Sequence, residues 1–540
     1  MANSQVGTTA AEAALRRQVG DGFRLLQQDR LADATRLSDM LVADYPGNAE
    51  ALFLASEVRL AADDAEAALP FIAAAVDAAP DQLPLLLKMA DNLIMLRRRL
   101  DARQVAADAA AMAGNDGRAL WAIGRIYSRC DDPSNARQLY ERALAAMGTD
   151  PALLYDLALA RLHTGDIAGA EENLDALLAD GPATGHALHL RSTLRRQTDA
   201  SNHVANLQAW LAAGFPHPAE RAACLFALAK ELEDLGQADK SFAVLAEAAA
   251  LKRRTLTYDA AAERASIDGV RATFTPEVMQ ADAAGHLAGY DEVGAIFIVG
   301  MPRTGTTLLE RMLGRHSDVK SAGELLDFGQ LLAAAARTCM QANPGTTLLE
   351  ASLMIDFAAL GRDYMASARE AASGSRMFID KMPVNYLYCG LIRKALPNAR
   401  LIHLVRDPMD SCYAVYKTLF NQAYYFSYDL DELADYYISY HQMMQHWHAA
   451  MPGDILDVQY EDLVADTEGQ ARRILAWCGL DWQPAVLTPA DNKAPSTTAS
   501  AAQVREPIYI SSVQKWRSYE AGLAPLKARL VAAGIVDAQG

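Results

Sequence analysis

A repeat of 34 residues constrains the fold of the first half of this chain more than any other feature of the sequence. A proline or glycine recurs at this interval, at Pro46, Pro80, Gly114, Gly148, Pro182 and Pro216. Two further series keep the same interval and consist mostly of small residues: Ala34, Ala68, Ala102, Ala136, Ala170, Val204 and Ala238, and Gly22, Ser56, Ala90, Gly124, Ala158, Ser192 and Phe226. Helices cross closely where small side chains face each other, and a helix breaker must end each pair before the next pair stacks. The period therefore predicts an all-α solenoid of helix pairs.

The period, and the order of small, small and breaker positions, resemble tetratricopeptide repeats. Seven units are predicted to begin near Leu15, Ala49, Leu83, Gly117, Pro151, Gly185 and Ala219. We predict a repeat domain over residues 1–252, a connector over 253–292 and a second domain over 293–540. The resemblance implies a concave groove of the kind that holds peptides or partner proteins. The alternative is a scaffold that binds nothing.

The second half opens with a pattern that is typical of a phosphate-binding loop. The apolar run 295–299 predicts a buried parallel strand, and residues 308–313 predict a helix. Between them lie Pro302, Arg303, Thr304, Gly305, Thr306 and Thr307. A strand, a glycine-bearing turn and a helix together aim backbone N–H groups at an anion. The lysine that a nucleoside triphosphate P-loop needs is replaced by Thr306, and the cation lies inside the loop as Arg303.

Residues 302–307 resemble the 5′-phosphosulfate loop of the sulfotransferases, especially of their tyrosylprotein branch, and the similarity extends from about residue 295 to residue 516. Further motifs follow in the order of that family, and they contain Glu324, Lys381, Arg406, Ser500 and Lys515. The resemblance implies an α/β P-loop-type domain with a parallel sheet. It also implies 3′-phosphoadenosine 5′-phosphosulfate (PAPS) as the donor and adenosine 3′,5′-bisphosphate as the product.

The resemblance also implies roles for these residues. Arg303 and the loop N–H groups would hold the 5′-phosphosulfate, Lys381 would stabilise the leaving oxygen, and Glu324 would be the general base. Arg406 would hold the 3′-phosphate, with Ser500 and Lys515 as additional cofactor contacts. No metal is expected, because the donor is already an activated anhydride and the sequence offers no tight cluster of His, Asp and Glu.

One position departs from the family pattern. The 3′-phosphate motif usually carries a serine eight residues after its arginine, and here that residue is Ala414. Ser411 lies nearby and is included among the candidate cofactor contacts, but a residue three positions earlier points elsewhere on a helix. Lys417 or Lys515 are the alternative contacts for the 3′-phosphate.

Other polar residues in this half have more ordinary interpretations. His403 lies within an apolar strand and is predicted to be a hydrogen-bonded core residue. His316 follows the loop helix and is predicted to be a cap or a packing residue. The tyrosine-rich stretch 424–428 fits either an acceptor pocket or packing, and the sequence does not decide between the two.

Composition narrows the class of protein further. A net charge of −17 argues against broad nucleic-acid binding, which needs a basic face. The six cysteines are scattered without a close pair, which favours a reducing compartment. There is no signal-peptide pattern and no apolar run of about 18 residues, so we expect a cytoplasmic protein without a membrane span. The oligomeric state is left open.

The sequence therefore predicts a sulfotransferase whose acceptor is a hydroxyl, either of a peptide or protein tyrosine held by the repeats or of a sugar, lipid or small molecule. A P-loop kinase is the first alternative, and Thr306 together with Arg406 argues against it. A repeat scaffold with an inactive second domain is the second alternative. Ala414 favours this scaffold, whereas the retention of Arg303, Glu324 and Lys381 argues against it.

Overall fold

The structure of the chain is a computed structural model that describes residues 2–180, 184–281, 289–420, 422–498, 501–505, 508 and 510–537. The chain divides into two compact units, Met1–Thr164 and Gly165–Gly540. The predicted boundary after residue 252 lies inside the second unit. In the described part of the chain, every helix is too short or too polar to cross a lipid bilayer.

The first unit is a stack of antiparallel helix pairs. Its helices are α1 (Ala2–Gln27), α2 (Leu31–Asp44), α3 (Ala49–Ala61), α4 (Ala65–Ala78), α5 (Leu83–Met95), α6 (Arg99–Ala113), α7 (Gly117–Arg129), α8 (Pro133–Met147) and α9 (Pro151–Thr164). Helices α3, α5, α7 and α9 begin at the residues where repeat units were predicted to begin. The period therefore locates the helix pairs correctly, because each pair ends at its own local breaker.

Close packing explains the small residues of the repeat. Ala34, Ala68 and Ala102 are fully buried. A Cβ atom added to Gly22 would lie 2.4 Å from Leu54 Cδ2, and one added to Gly124 would lie 2.4 Å from the Tyr140 ring. Since no larger side chain fits at these crossings, the helices approach at their smallest residues.

The second unit begins with more helices and continues into an α/β domain. The helices before the sheet are α10 (Ile167–Asp180), α11 (Gly185–Thr193), α12 (Val204–Ala213), α13 (Pro218–Asp234), α14 (Ala238–Arg254), α15 (Ala260–Thr273) and α16 (Pro276–Ala281). The later helices are α17 (Thr306–Leu313), α18 (Asp327–Ala342), α19 (Leu348–Ser352), α20 (Phe357–Ala371), α21 (Cys389–Ala395), α22 (Pro408–Tyr416), α23 (Leu430–Ala450), α24 (Tyr460–Ala465), α25 (Thr467–Cys478) and α26 (Ala524–Ala532). Short 3-10 helices span Pro383–Tyr388, Tyr425–Tyr428, Pro484–Leu487, Pro489–Asp491, Gln503–Arg505 and Lys515–Tyr519.

A parallel sheet forms the centre of the α/β domain. Its strands are β1 (Ala295–Gly300), β2 (Val319–Gly323), β3 (Met377–Asp380), β4 (Arg400–Val405) and β5 (Ile455–Gln459). The strand order is β2-β3-β1-β4-β5, and every pairing is parallel. The predicted fold class, a helical solenoid followed by an α/β parallel-sheet domain, is confirmed.

Both faces of the sheet are covered by helices, so the central strands read as continuous apolar runs. In β1, Phe297 and Val299 belong to one core cluster with residues of α20–α23. Ile296 and Ile298 belong to another cluster with residues of α17 and α25. This alternation is the period of two that a strand imposes on its side chains.

The helix pair α13–α14 shares the core of the α/β domain. Phe226 of α13 packs edge-on against Tyr428, with ring centroids 6.0 Å apart. Leu225, Ala229 and Leu245 lie in the same core cluster. This contact explains why the series of small residues ends in a phenylalanine: at this position the neighbour is the α/β domain.

Candidate functional site

The predicted site residues follow strands that end at one edge of the sheet. Because the strands are parallel, Gly300, Gly323, Asp380 and Val405, which end β1, β2, β3 and β4, lie at this same edge. Open α/β sheets bind ligands outside the carboxyl ends of their strands. The topology therefore gathers Arg303, Glu324, Lys381 and Arg406 from four separate places in the sequence.

The loop between β1 and α17 has a backbone that requires glycine. Gly305 directly precedes α17 and has a φ of 101°, in the left-handed region. A Cβ atom at Gly305 would lie 2.6 Å from the Tyr460 ring. The Thr304 hydroxyl donates a 2.8 Å hydrogen bond to the carbonyl of Met301 and closes the turn. Thr306 and Thr307 then begin α17, whose first N–H groups have no partners within the helix.

Arg303 and Arg406 are brought together at this loop. Arg406 Nη1 donates to the carbonyl of Arg303 at 3.1 Å, and Arg406 Nη2 donates to the carbonyl of Ser512 at 2.7 Å. Arg303 Nη2 donates to Gln503 Oε1 at 2.9 Å. Arg406 is only 7% exposed, and its Nε is buried without a hydrogen-bond partner among the described residues. A guanidinium group is a fitting bidentate partner for phosphate oxygens.

Lys381 and Glu324 form an ion pair at the ends of β3 and β2. The Lys381 side chain is 1% exposed, whereas the Glu324 side chain is 41% exposed. The backbone N–H of Lys381 donates to the carbonyl of Gly323 at 2.9 Å, which holds the two strand ends together. The predicted base and the predicted stabiliser of the leaving oxygen are therefore in direct contact, with the base on the solvent side.

Asp380 directly precedes Lys381 and was not singled out as a site residue from the sequence. Its carboxylate accepts hydrogen bonds from the Tyr364 hydroxyl at 2.7 Å, from Asn385 Nδ2 at 3.1 Å and from the backbone N–H of Met382 at 3.1 Å. Burial raises the pKa of Asp380 to about 7, although the hydrogen bonds from Tyr364 and Met382 oppose the shift. The sequence feature that could have indicated Asp380 is its place as an acidic residue at the end of an apolar strand.

Glu310 is a second residue that the sequence analysis missed. It is buried on α17 and accepts a hydrogen bond from the Ser321 hydroxyl. Burial raises the pKa of Glu310, while the charge of Lys381 lowers it. Glu310 thus places another carboxyl group within electrostatic range of Lys381. Its signal in the sequence was an acidic residue among leucines immediately after the loop.

The remaining predicted cofactor contacts differ in their surroundings. Ser411 is fully buried, and its hydroxyl donates to the carbonyl of Arg406 at 3.4 Å, so it supports the backbone of the arginine. Lys515 Nζ lies 3.7 Å from the carboxylate of Glu233. Pro302 is buried within the loop. Ser500 lies outside the described residues.

The two histidines for which the sequence predicted structural roles, His316 and His403, have hydrogen-bond partners within the domain. His316 is buried; its Nε2 lies 3.0 Å from the carbonyl of Asp481, and its Nδ1 accepts from the N–H of Asp318. His403 contacts Asp457 through Nδ1 at 2.8 Å and the Tyr440 hydroxyl through Nε2. Both roles agree with the sequence analysis.

The structure also assembles a cluster that the sequence did not reveal. His403, His448 and Asp457 bring one ligand-type atom each within 4.8 Å of one another. No tight cluster of this kind was predicted, because His403, His448 and Asp457 lie apart in the sequence, on β4, α23 and β5. Both histidines hydrogen-bond to the same Asp457 oxygen.

The tyrosine-rich stretch combines packing with proximity to Glu324. The Tyr428 hydroxyl hydrogen-bonds to both the N–H and the carbonyl of Phe420, at 2.8 and 2.9 Å. The rings of Phe420 and Tyr424 are 4.8 Å apart. Burial raises the pKa of Tyr424, and the charge of Glu324 adds to the shift. Phe420 also lines a cavity of about 500 Å³, together with His186, Lys252 and Gln422.

Comparison with known proteins identifies the two parts of the chain. Residues 295–484 match the sulfotransferase family, and residues 131–194 match the tetratricopeptide repeat. An uncharacterized protein of Aquifex aeolicus (strain VF5) is 35% identical over 313 residues, which cover 57% of this chain and 41% of that protein. A protein-tyrosine sulfotransferase of Drosophila melanogaster is 25% identical over 245 residues, which cover 42% of this chain and 47% of that protein.

A sulfotransferase domain from the olefin synthase of Synechococcus PCC 7002 is similar to this chain at 22% identity. The match covers 45% of this chain and 96% of that domain, with a TM-score of 0.32. The chain spans less than half of the length of the two curated relatives described above. The C-terminal half of this chain thus contains a domain of the sulfotransferase family, and its N-terminal half contains tetratricopeptide repeats.

Proposed function

We propose that this chain is a sulfotransferase that moves a sulfuryl group from PAPS to an acceptor hydroxyl. The observation that carries the proposal is the convergence of Arg303, Lys381, Arg406 and Glu324 at the carboxyl edge of one parallel sheet, within a domain of the sulfotransferase family. Ligands of open α/β sheets bind at this edge; here it would hold the nucleotide at one end and place a base beside the reacting group at the other.

The donor fits the cations and N–H groups of this edge. Arg303 and the N-terminus of α17, with Thr306 and Thr307, would bind the 5′-phosphosulfate. Arg406 would bind the 3′-phosphate through its buried guanidinium. Because ATP has no 3′-phosphate, a contact to this group would let the protein bind PAPS in preference to ATP.

The chemistry that the donor supplies is an activated sulfuryl group, and the protein contributes positioning and charge. A bond forms between the acceptor oxygen and sulfur while the bond from sulfur to the bridging oxygen breaks. Glu324 takes the acceptor proton, and Lys381 stabilises the negative charge that the leaving oxygen gains. The exposed side of Glu324 is where an acceptor hydroxyl has room to approach.

The acceptor proposed first is the hydroxyl of a peptide or protein tyrosine, since several relatives are named as protein-tyrosine sulfotransferases. Hydroxyls of sugars and small molecules are the alternative. The cavity lined by Phe420, Lys252 and His186 is the proposed approach, because the Phe420 ring packs on Tyr424, next to Glu324. The repeats, with α11 and α14 among them, would hold such a peptide. We place the reaction in a reducing compartment, the cytoplasm, because all six cysteines are free.

Calorimetry with nucleotides tests this proposal. The protein should bind adenosine 3′,5′-bisphosphate far more tightly than ATP or AMP, because Arg406 recognises a phosphate that the other two lack. Arg303→Ala should abolish this binding, whereas Arg406→Ala should weaken it and reduce the preference for a 3′-phosphate. ATP binding of equal or greater strength would point to a kinase instead, and normal binding by both variants would place the donor elsewhere.

A further inference from the structure

Helix α13, which lies within the predicted repeat domain, ends beside the proposed donor site. Glu233 is the penultimate residue of α13, and its side chain is 14% exposed. Its carboxylate accepts hydrogen bonds from the Tyr413 hydroxyl at 3.0 Å and from Lys417 Nζ at 2.8 Å. Lys515 Nζ lies 3.7 Å away. One buried carboxylate therefore gathers two ammonium groups and a phenol from two other segments of the chain.

The charge of Glu233 is part of this arrangement. Burial raises its pKa, but Lys417, Lys515 and the Tyr413 hydroxyl outweigh burial, so the pKa lies below its ordinary value. The carboxylate is therefore ionised at neutral pH, and the cluster has two positive charges for one negative charge. Glu233 fixes the positions of the lysines without cancelling their charge.

The three side chains that contact the Glu233 carboxylate, as described above, belong to segments that contact Arg406 or follow it directly. Tyr413 and Lys417 lie on and just after α22, which begins two residues after Arg406. Lys515 lies between Gln514 and Trp516, whose N–H groups both donate to the Asp410 carboxylate, at 2.6 and 3.0 Å.

The same C-terminal segment also touches Arg406 directly. The carbonyl of Ser512 accepts a hydrogen bond from Arg406 Nη2 at 2.7 Å, and the Ser512 hydroxyl lies 2.9 Å from the Tyr460 hydroxyl. The Tyr460 ring packs against the Arg406 guanidinium, 4.9 Å away. A continuous chain of contacts therefore leads from Glu233 through Lys515 and residues 512–516 to Arg406.

We infer that Glu233 is a positioning residue of the donor site: it holds Lys417, Lys515 and residues 512–516 in the arrangement that accepts a 3′-phosphate. This inference rests on the proposed function. It makes α13, which lies within the predicted repeat domain, a working part of the donor site. It also gives the two lysines a defined place in a chain where Ala414 stands at the position of the family serine.

Further ion pairs support a fixed relation between α13–α14 and the α/β domain. Arg253 of α14 donates to both carboxylate oxygens of Glu432 on α23, at 2.7 and 2.8 Å. Arg264 of α15 pairs with Asp435 of the same helix. A bidentate arginine pair adds geometric specificity to the contact, so the end of α13 is held where Glu233 meets the lysines.

The chain offers a matched control for testing Glu233. Glu231 is also a buried glutamate of α13, two residues away, and it accepts hydrogen bonds from the Ser192 hydroxyl at 2.6 Å and from the N–H of His203 at 2.6 Å. Glu231 therefore stabilises contacts among the helices that precede the sheet. Glu233→Gln and Glu231→Gln each neutralise one buried carboxylate on the same helix, and only the first contacts the lysines.

The experiment measures dissociation constants of adenosine 3′,5′-bisphosphate and adenosine 5′-phosphate by calorimetry for the wild type and both variants. We expect Glu233→Gln to reduce the preference for the 3′-phosphate about fivefold, in the range of mutations that act through an intermediate contact. Glu231→Gln should lower the thermal midpoint and leave the preference unchanged. In the Lys515→Met background, Glu233→Gln should have a smaller effect, because the two residues act through one contact.

The outcomes separate this inference from the proposed function. An unchanged or increased preference in Glu233→Gln, or an equal loss in Glu231→Gln, overturns the positioning role and leaves the donor site as proposed. A wild-type protein that binds the two nucleotides equally contradicts the proposed function itself.

Discussion

Lys381 is buried at the end of an apolar strand, and its ion-pair partner Glu324 is the more exposed of the two. This asymmetry fits a division of labour in which the lysine faces the donor and the glutamate faces the acceptor. The Asp380 carboxylate accepts hydrogen bonds from Met382 and Asn385, and these bonds stabilise the backbone that follows Lys381. Single substitutions of Glu324, Lys381 and Asp380 should therefore have different effects.

Glu324→Gln should retain the affinity for adenosine 3′,5′-bisphosphate and lose turnover by roughly 10²–10⁴-fold, the usual contribution of a general base. The substitution keeps the size of the side chain and removes the basic carboxylate. Turnover should recover partly as the pH rises toward the pKa of the acceptor, since an ionised hydroxyl needs no base. Radiolabelled sulfuryl transfer over a range of pH, with calorimetry of the bisphosphate, measures both quantities.

Lys381→Ala serves as the contrast to that variant. It should lower turnover by about 10²–10³-fold through the loss of positive charge at the leaving oxygen, and it should show no recovery at high pH. Near-normal turnover of Glu324→Gln at every pH would show that another group is the base, and the buried Glu310 would be the next residue to change.

Asp380 should make the stability of the α/β domain depend on pH. Burial raises its pKa to about 7, whereas the pKa of an aspartate in the unfolded chain is about 3.9. The folded state therefore binds this proton more tightly between these values, and the contribution of Asp380 to stability is present at acidic pH and is lost as the pH rises toward 7. Asp380→Asn has no proton to lose, so urea unfolding should show a weaker decline from about pH 5 to about pH 8.

The exposed Asp239→Asn is the control for this measurement and should keep the wild-type dependence on pH. If Asp380→Asn and the wild type declined in parallel, the Asp380 carboxyl would titrate in the folded state as it does in the unfolded chain.

At the scale of elements, the loop between β1 and α17 depends on Gly305. Gly305→Ala should weaken binding of adenosine 3′,5′-bisphosphate by about tenfold or more, because φ is 101° and the new Cβ would meet the Tyr460 ring. The Tyr460 ring in turn packs on Arg406, so a displaced ring should disturb both ends of the proposed donor site. Calorimetry measures the loss.

Gly453→Ala provides the matched control, since Gly453 also has a positive φ, 84°, but open space around its Cβ position. It should lower the thermal midpoint through backbone strain and leave nucleotide affinity unchanged. Equal affinity in both variants and the wild type would show that the loop conformation does not matter for binding.

The sequence predicts elements well where their limits are local. Helices α3, α5, α7, α9 and α11 begin where the repeat places them, because a breaker and two small positions recur in every unit. The strand–turn–helix at the loop is likewise encoded within a few residues. The contacts at the end of the repeat pattern could not be predicted. Phe226 packs against Tyr428. Glu233 contacts Lys417 and Lys515, and these partners lie far away in the sequence.

The same distinction applies to the candidate site. Motif residues after parallel strands could be assigned to one edge, because the topology forces their strand ends together. The hydrogen bonds of Glu310 and Asp380 and the contact between Lys381 and Glu324 could not be predicted, because each depends on side-chain partners from other elements. The roles of the site residues in catalysis and donor binding remain predictions.

At the scale of the whole molecule, the compact division at residue 164 and the shared core of α13–α14 predict how the chain tolerates truncation. A fragment of residues 165–540 should fold and bind adenosine 3′,5′-bisphosphate. A fragment of residues 253–540 should aggregate, because it leaves uncovered the core that Leu225, Phe226 and Leu245 occupy, and each such side chain contributes about 1.5–3 kcal/mol when buried. Solubility, thermal unfolding and calorimetry compare the two.

A fragment 253–540 that unfolds cooperatively and binds the bisphosphate as tightly as the full chain would contradict this expectation. It would then support residues 1–252 as a domain that folds separately from the rest.

Helix pairs that touch mainly their neighbours can also be lost or duplicated as whole units during evolution, provided that the reading frame and the 34-residue spacing survive. Helices α3–α8 meet this condition, whereas α13–α14 do not, since their side chains fill the core of another domain. Genes of this type should therefore vary in length by multiples of one repeat toward the start of the array and stay constant at its end. The last repeat would then be inherited together with the α/β domain, and the number of earlier repeats could change independently of that domain.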